Sequence, residues 1–220
     1  MFEPDVIQMI QKGIGETLYM VLTSTVLAYV LGLPLGILLV VTARDGIRPN
    51  NWVYKVLDIF INLIRSLPFL ILALAIFPVT RFITGTSIGP KATIVPLVVS
   101  AAPFIARMVE SSFKEVDRGA VEAAQSMGAS PWQIIWKVLL AEARPSLIVG
   151  AAISITTILG YSAMAGFVGG GGLGDIAIRY GYNRYQTDIM LVTAALLVVL
   201  VQIFQEVGMR IAKRSDKRKI

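Results

Sequence analysis

Apolar residues are gathered in this chain into long uncharged blocks, and those blocks predict its elements before any finer periodicity is considered. Thr17–Ala43 carries no charge between Glu16 and Arg44, and Pro145–Gly174 carries none between Arg144 and Asp175. Ile189–Gln205 is a third such run. A helix crossing a bilayer needs about 20 predominantly apolar residues at roughly 1.5 Å each, and all three runs meet that length or come close. Two further runs, Ser66–Thr80 and Ala92–Ala106, are 15 residues each. They reach spanning length only by taking a basic residue inside, Arg65 in the first and Lys91 or Arg107 in the second. The pattern therefore predicts an all-α polytopic membrane protein with five transmembrane helices, a single membrane domain over 1–220.

Composition agrees with lipid as the solvent. Hydrophobic residues make up 55% of the chain and charged residues 15%, against about a quarter charged in an ordinary soluble domain; mean hydropathy is +0.72. The net charge of +6 does not point to nucleic acid, because most basic residues sit between or just beyond apolar runs, as membrane-flanking residues do. Their placement sets an orientation. With the C-terminus inside, the cytoplasmic segments and the basic tail at 210–220 hold fifteen Lys and Arg, whereas the outer segments hold five: Lys12, Arg81, Lys91, Arg179 and Arg184. The expected topology has the N-terminus outside and the C-terminus cytoplasmic. The opening "MFEPDVIQMIQKGIGE" has no basic leader, so no cleaved signal peptide is expected.

The side-chain inventory narrows the chemistry. The chain has no Cys and no His, which removes thiol nucleophiles, Ser-His-Asp arrangements and zinc sites of the usual kind. No G-x-x-x-x-G-K-[ST] occurs, so the chain cannot cradle ATP phosphates by that route. "GGGGLG", Gly169–Gly174, matches a dinucleotide fingerprint in letters, but an uncharged span precedes it where that motif needs a strand. It reads instead as a flexible or tightly turned exit from the fourth span. No catalytic residue, metal ligand or cofactor is expected in this chain, and none of these features suggests an enzyme. Pro34, Pro68, Pro78, Pro96 and Pro103 fall inside predicted spans, where only neighbouring helices, side chains or water can satisfy the freed backbone groups. That argues for a packed bundle. "GLPLG", Gly32–Gly36, permits a close helix approach, either within the chain or across a dimer seam.

The segment 117–140, between the third and fourth spans, is half polar. Asp117 can cap a helix that runs to about Met127, with Gly128 as its left-handed stop. Ser130, Pro131 and Gln133 then supply the cap, first position and capping-box partner of a second helix. Trp132, Ile135, Trp136 and Leu139 follow at helical spacing as one apolar face. This is a rigid cytoplasmic two-helix knuckle, either a docking surface or an amphipathic hairpin lying on lipid.

Glu122-Ala123-Ala124, then three residues and Gly128, resembles the EAA loop of the binding-protein-dependent ABC importer permeases, with Ala141 standing where those permeases carry a proline. "NLIRSLPFLIL", "VPLVVSAAPFIARMVE" and "LGYSAMAGFVGGGGLGDIAIRYGY" extend the resemblance over nearly the whole chain, to the methionine importer permeases. The resemblance implies a type I importer transmembrane domain over 13–205, with 117–140 as the coupling segment seated in an ATPase subunit. It also implies a homodimer in the bacterial inner membrane, two partner ATPases that use ATP and magnesium, a substrate-binding protein on the outer face, and methionine as the cargo. Glu122, Ala123, Ala124 and Gly128 would then meet the ATPase. In the fourth span, Tyr161, Ser162 and Met164, with Thr156 and Thr157 a turn or more earlier, supply the polar and soft side chains of a path or gate. Another small amino acid as cargo remains open. A proton-coupled secondary transporter would want acidic groups deep in the membrane, whereas Asp58, Glu110 and Glu206 fall near predicted span ends.

Overall fold

A computed structural model describes residues 4–215, and among these every regular element is a helix. Helix α1, Pro4–Thr42, has 39 residues and at 1.5 Å each is about 58 Å long, nearly twice the hydrocarbon thickness of a bilayer. It begins 13 residues before the uncharged run because nothing in its first turns breaks a helix, and because that extension is packed. Ile10 and Gly13 are buried there, and a Cβ on Gly13 would lie 2.4 Å from Ile176 Cδ1. Against the rest of α1 runs α5, Pro90–Lys114. Gly32 and Gly36 make this contact possible: Cβ atoms there would lie 2.6 Å from the Ala102 carbonyl oxygen and 2.7 Å from that of Ala106. The small-residue pattern thus serves packing within the chain.

The second expected span, Ser66–Thr80, is not one helix. An amphipathic helix α2, Asn51–Ser66, is followed by two short ones, α3 at Phe69–Ala75 and α4 at Phe77–Thr84, with a 103° bend between α2 and α3. Proline is the reason. Leu67 precedes Pro68 and is extended, at φ −81° and ψ 128°, the conformation that a following proline ring imposes. Pro68 then caps α3, and Pro78 lies in the first turn of α4, so only Pro34, Pro96 and Pro103 stand inside helices. Among the described residues four helices are long and apolar enough to cross a membrane, or five if the bent α2–α3 pair is counted as one broken span.

Beyond the cytoplasmic segment, α9, Arg144–Met164, ends ten residues before the uncharged run does. A short 3₁₀ turn, Ala165–Val168, the glycine loop, α10 at Gly172–Ile176 and a π turn at Ala177–Tyr182 complete that unit. The last helix, α11, Thr187–Ser215, takes in residues 210–215 of the basic tail; residues 216–220 of that tail lie outside the described residues. One apolar core joins α1, α3, α5 and α9 with the cytoplasmic segment, through Met20, Phe69, Leu97, Ile105, Ile134 and Leu159 among others.

Candidate functional site

The cytoplasmic knuckle is built by its caps. The Asp117 carboxylate accepts a hydrogen bond from the Gly119 N–H at 3.0 Å and starts α6, Arg118–Ser126. Gly128 ends it in the left-handed region at φ 76°. Ser130 Oγ accepts from the Gln133 N–H while Gln133 Oε1 accepts from the Ser130 N–H at 2.8 Å, a complete capping box that opens α7, Pro131–Ile134. These are the caps expected from the sequence.

The apolar face of the second helix differs from expectation. At Ile135 the helix widens into a π turn, Ile135–Leu139, closed by a bond from the Leu140 N–H to the Ile135 carbonyl, before α8, Leu140–Glu142, leads into α9. The wider turn changes which positions coincide. Ile134, Ile135 and Leu139 are buried in the core, whereas Trp132 and Trp136 point outward, 65% and 53% exposed, and pack edge to face with centroids 5.5 Å apart. Met127, at the end of α6, is 81% exposed. Within the Glu122-Ala123-Ala124 triplet only Ala124 is buried, and it seats α6 on the core with Val116 and Leu139. Glu122 and Ala123 are presented outward. Glu122 and Gln125 line a cleft of about 460 Å³ with Asp45, Lys114 and Arg118, and an Arg118–Asp45 ion pair ties α6 to the loop after α1.

The three fourth-span candidates do not share one environment. Tyr161 is half-buried and stacks on Phe69 of α3, centroids 4.9 Å apart and planes within 1°. Ser162 is buried and donates to the Leu159 carbonyl at 2.7 Å, which leaves its hydroxyl committed to its own helix. Met164 is exposed. Thr156 and Thr157 likewise bond back to the carbonyl of Ile153.

The glycine loop is tightly turned. Gly169, Gly171 and Gly172 have positive φ. The Gly172 N–H donates to Glu16 Oε2 and the Leu173 N–H to Thr17 Oγ1, both at 2.9 Å, so the first N–H groups of α10 are taken by α1 where a dinucleotide fold would offer them to pyrophosphate. On the other side the Gly89 N–H donates to the Gly169 carbonyl at 2.9 Å and Thr93 Oγ1 to that of Gly170 at 3.1 Å.

Sequence reasoning missed a polar network where α2 meets α5. Arg107 pairs with Asp58, donates to Asn62 Oδ1 at 3.0 Å and to Glu110 Oε2 at 2.6 Å. Lys114 and Tyr54 complete it on Glu110 Oε1 at 2.8 and 3.3 Å. Glu110, read as a span-end residue, is buried inside α5 and fully engaged. Asp58 and Asn62 at i, i+4, facing Arg107, Glu110 and Lys114 at i, i+3, i+7, were the available signal. Among the described residues no group of acidic side chains could hold a metal ion.

A family model described as binding-protein-dependent transport system inner membrane component matches residues 9–219. The probable D-methionine transport system permease protein MetI of Vibrio cholerae is 52% identical over 203 residues, 92% of this chain and 90% of that one. The D-methionine transport system permease protein MetI of Escherichia coli K12 is 50% identical over 155 residues, 70% of this chain and 71% of that one. A solved structure of the MetNI methionine ABC transporter in an inward-facing conformation superposes with a TM-score of 0.97 at 45% identity, covering 98% of this chain and all of that chain.

Proposed function

The chain belongs to the family of binding-protein-dependent transport system inner membrane components, and from that premise we propose that it is the permease subunit of a methionine ABC importer. The observation that carries this reading is the 52% identity over 92% of the chain to a D-methionine permease. The fold is that of a type I importer permease, and it carries no ATPase motif of its own. Two copies form the path, and separate ATPase subunits bind ATP with magnesium. A substrate-binding protein delivers methionine from outside.

In this reading the segment 117–140 is the coupling element, and Glu122, Ala123, Ala124 and Gly128 are its contact region. Support comes from its form. It is a capped, core-anchored knuckle that holds a carboxylate and three large apolar side chains, Met127, Trp132 and Trp136, out of the protein. Closing of the ATPases would shift two such knuckles as rigid bodies and rock the spans between outward-open and inward-open arrangements. On the path, Tyr161, whose ring rests on the buried Phe69, and Met164 are the side chains we assign to the passage, with Ser162 committed to its own helix.

ATP-driven uptake of labelled methionine by proteoliposomes holding the permease, ATPase and binding protein is the expected result, unaffected by a protonophore. Uptake that follows a proton gradient without ATP would favour a secondary transporter. Orientation has its own test. Because the basic residues divide fifteen to five, reporter fusions at residue 84, residue 125 and the C-terminus should read outside, inside and inside. An outside signal at 125 would put the knuckle beyond reach of any cytoplasmic ATPase.

A further inference from the structure

We propose that Arg65, with the broken end of α2, is a binding site for a zwitterionic amino acid inside the membrane. The Arg65 guanidinium takes the carboxylate, and the open carbonyl end of α2 takes the ammonium. This deepens the import reading and rests on it.

Depth, counted along the helices, is the first argument. Arg65 lies 14 residues along α2 from Asn51, or about 21 Å at 1.5 Å per residue, which is deep within a ~30 Å core. The neighbouring helix gives a similar level. Asn62, one turn below Arg65, is held by Arg107 of α5, and Arg107 is itself seven residues, roughly 10 Å, from the cytoplasmic end of that helix at Lys114. The sequence counts Arg65 among the cytoplasmic basic residues and also lets the second span take it inside; the helix agrees with the second of these.

The second observation is that Arg65 is alone. Its side chain is exposed and, among the described residues, has no hydrogen bond, ion pair or ring contact. The acidic groups beneath it are committed elsewhere, Asp58 to Arg107 and Glu110 to Arg107 and Lys114. An unpaired arginine at such depth is costly and marks a substrate or ion pathway when it is kept.

The break supplies the complementary half. After Ser66 the chain bends by 103°, and Pro68 has no N–H to return to the preceding turn. The Leu67 N–H reaches only the Ile64 carbonyl, at 3.2 Å, and the Ser66 hydroxyl only that of Asn62, at 2.8 Å. The remaining carbonyls at the end of α2 form the negative pole of the helix inside the membrane, and ends of discontinuous helices are where transporters hold small ions and substrates. A guanidinium offers a planar fork suited to a carboxylate, and the carbonyl pole suits an ammonium. Four residues past Arg65, Phe69 is buried in the core and stacked on Tyr161, so the chain beyond the bend is anchored to α9. The network of Tyr54, Asp58 and Asn62 with α5 fixes α2 below the site, so the geometry is held by the protein and not by the ligand.

The absence of cysteine from this chain makes the test direct. Arg65→Cys is assembled with cysteine-free ATPase and binding protein in liposomes, and uptake of labelled methionine is read with ATP hydrolysis. Uptake should fall at least about tenfold, while hydrolysis stimulated by the binding protein stays within about twofold of wild type. An ethylammonium thiosulfonate adduct, which restores the positive charge, should recover uptake where a methyl adduct does not, and methionine should slow the labelling. Wild-type uptake by Arg65→Cys, equal effects of the two adducts, or loss of the permease dimer would each overturn the site. ATP-driven uptake by the wild type in the same preparation keeps the import reading standing in those cases, whereas its absence would overturn the import reading and the site together.

Discussion

Gly128→Val is expected to leave the permease in the membrane but to strip it of its ATPase. Gly128 ends α6 at φ 76°, and a Cβ built there has no atom within 4 Å. The penalty is therefore backbone strain alone, roughly 2 kcal/mol for a β-branched side chain held in the left-handed region. The easiest relief is to change the angle between α6 and α7, which redirects Glu122 on one helix relative to Trp132 on the other. Because Ala124, Ile134 and Leu139 keep the knuckle rooted in the core, the bundle itself survives. Gly128→Asn, tolerant of that conformation, should behave nearly as wild type. Glu122→Lys should also fail to hold the ATPase, since reversing one charge at a docking surface costs on the order of several kcal/mol. Pull-down of the ATPase from membranes carrying each variant measures this. Normal recovery with Gly128→Val and Glu122→Lys, and loss of membrane seating with Trp132→Ala or Trp136→Ala alone, would mean that the knuckle lies on lipid instead.

What could be read from the sequence was set by the range of the interactions involved. The caps at Asp117, Gly128 and Ser130 were legible because each rests on a few consecutive residues and one short hydrogen bond. The spans were legible because lipid excludes charge over twenty residues at a time. Three features needed the third dimension. The π turn at Ile135 shifts the apolar face by about one residue, a change that no local pattern announces. The Pro68 break was visible as a proline, but whether it kinks a span or turns it by 103° depends on what receives α3, here the Tyr161 ring. The Arg107 network was missed because α2 and α5 are 49 residues apart at the Asp58 contact. Its members look like ordinary span-end charges until the helices are placed side by side. The path residues were the weakest reading for a related reason. Ser162 and Met164 are two positions apart on one helix, and only packing separates the buried one from the exposed one.

Gly174→Val is expected to prevent the permease from accumulating, and Gly174→Ala to lower its heat stability. Gly166 and Gly174 cross backbone to backbone at the end of the fourth span. A Cβ on Gly174 would stand 2.4 Å from the Ala163 carbonyl oxygen and 2.6 Å from its Cα, and a Cβ on Gly166 would stand 2.4 Å from the Gly174 carbonyl carbon. Every one of these neighbours is main chain, so no rotamer change can admit the new atom. Room appears only if α10 moves away from α9 by about an ångström, and α10 is not free to move. Its first N–H groups are bonded to Glu16 and Thr17 of α1, and Gly13 of α1 is packed on Ile176. One added methyl therefore costs on the order of 1–3 kcal/mol as overpacking, together with strained or lost hydrogen bonds. The branched side chain exceeds what a marginally stable fold can absorb. Gly15→Ala is the control, in α1 with nothing within 4 Å of its Cβ position; a helical alanine there should be neutral or stabilising by about 0.5–1 kcal/mol. Membrane yield, and the temperature at which the detergent-extracted protein loses its monodisperse peak, give the ranking Gly15→Ala, Gly174→Ala, Gly174→Val. Equal yield and melting for all three would mean that the loop has slack and that the fourth span ends in a flexible exit instead of a lock between α1, α5 and α9.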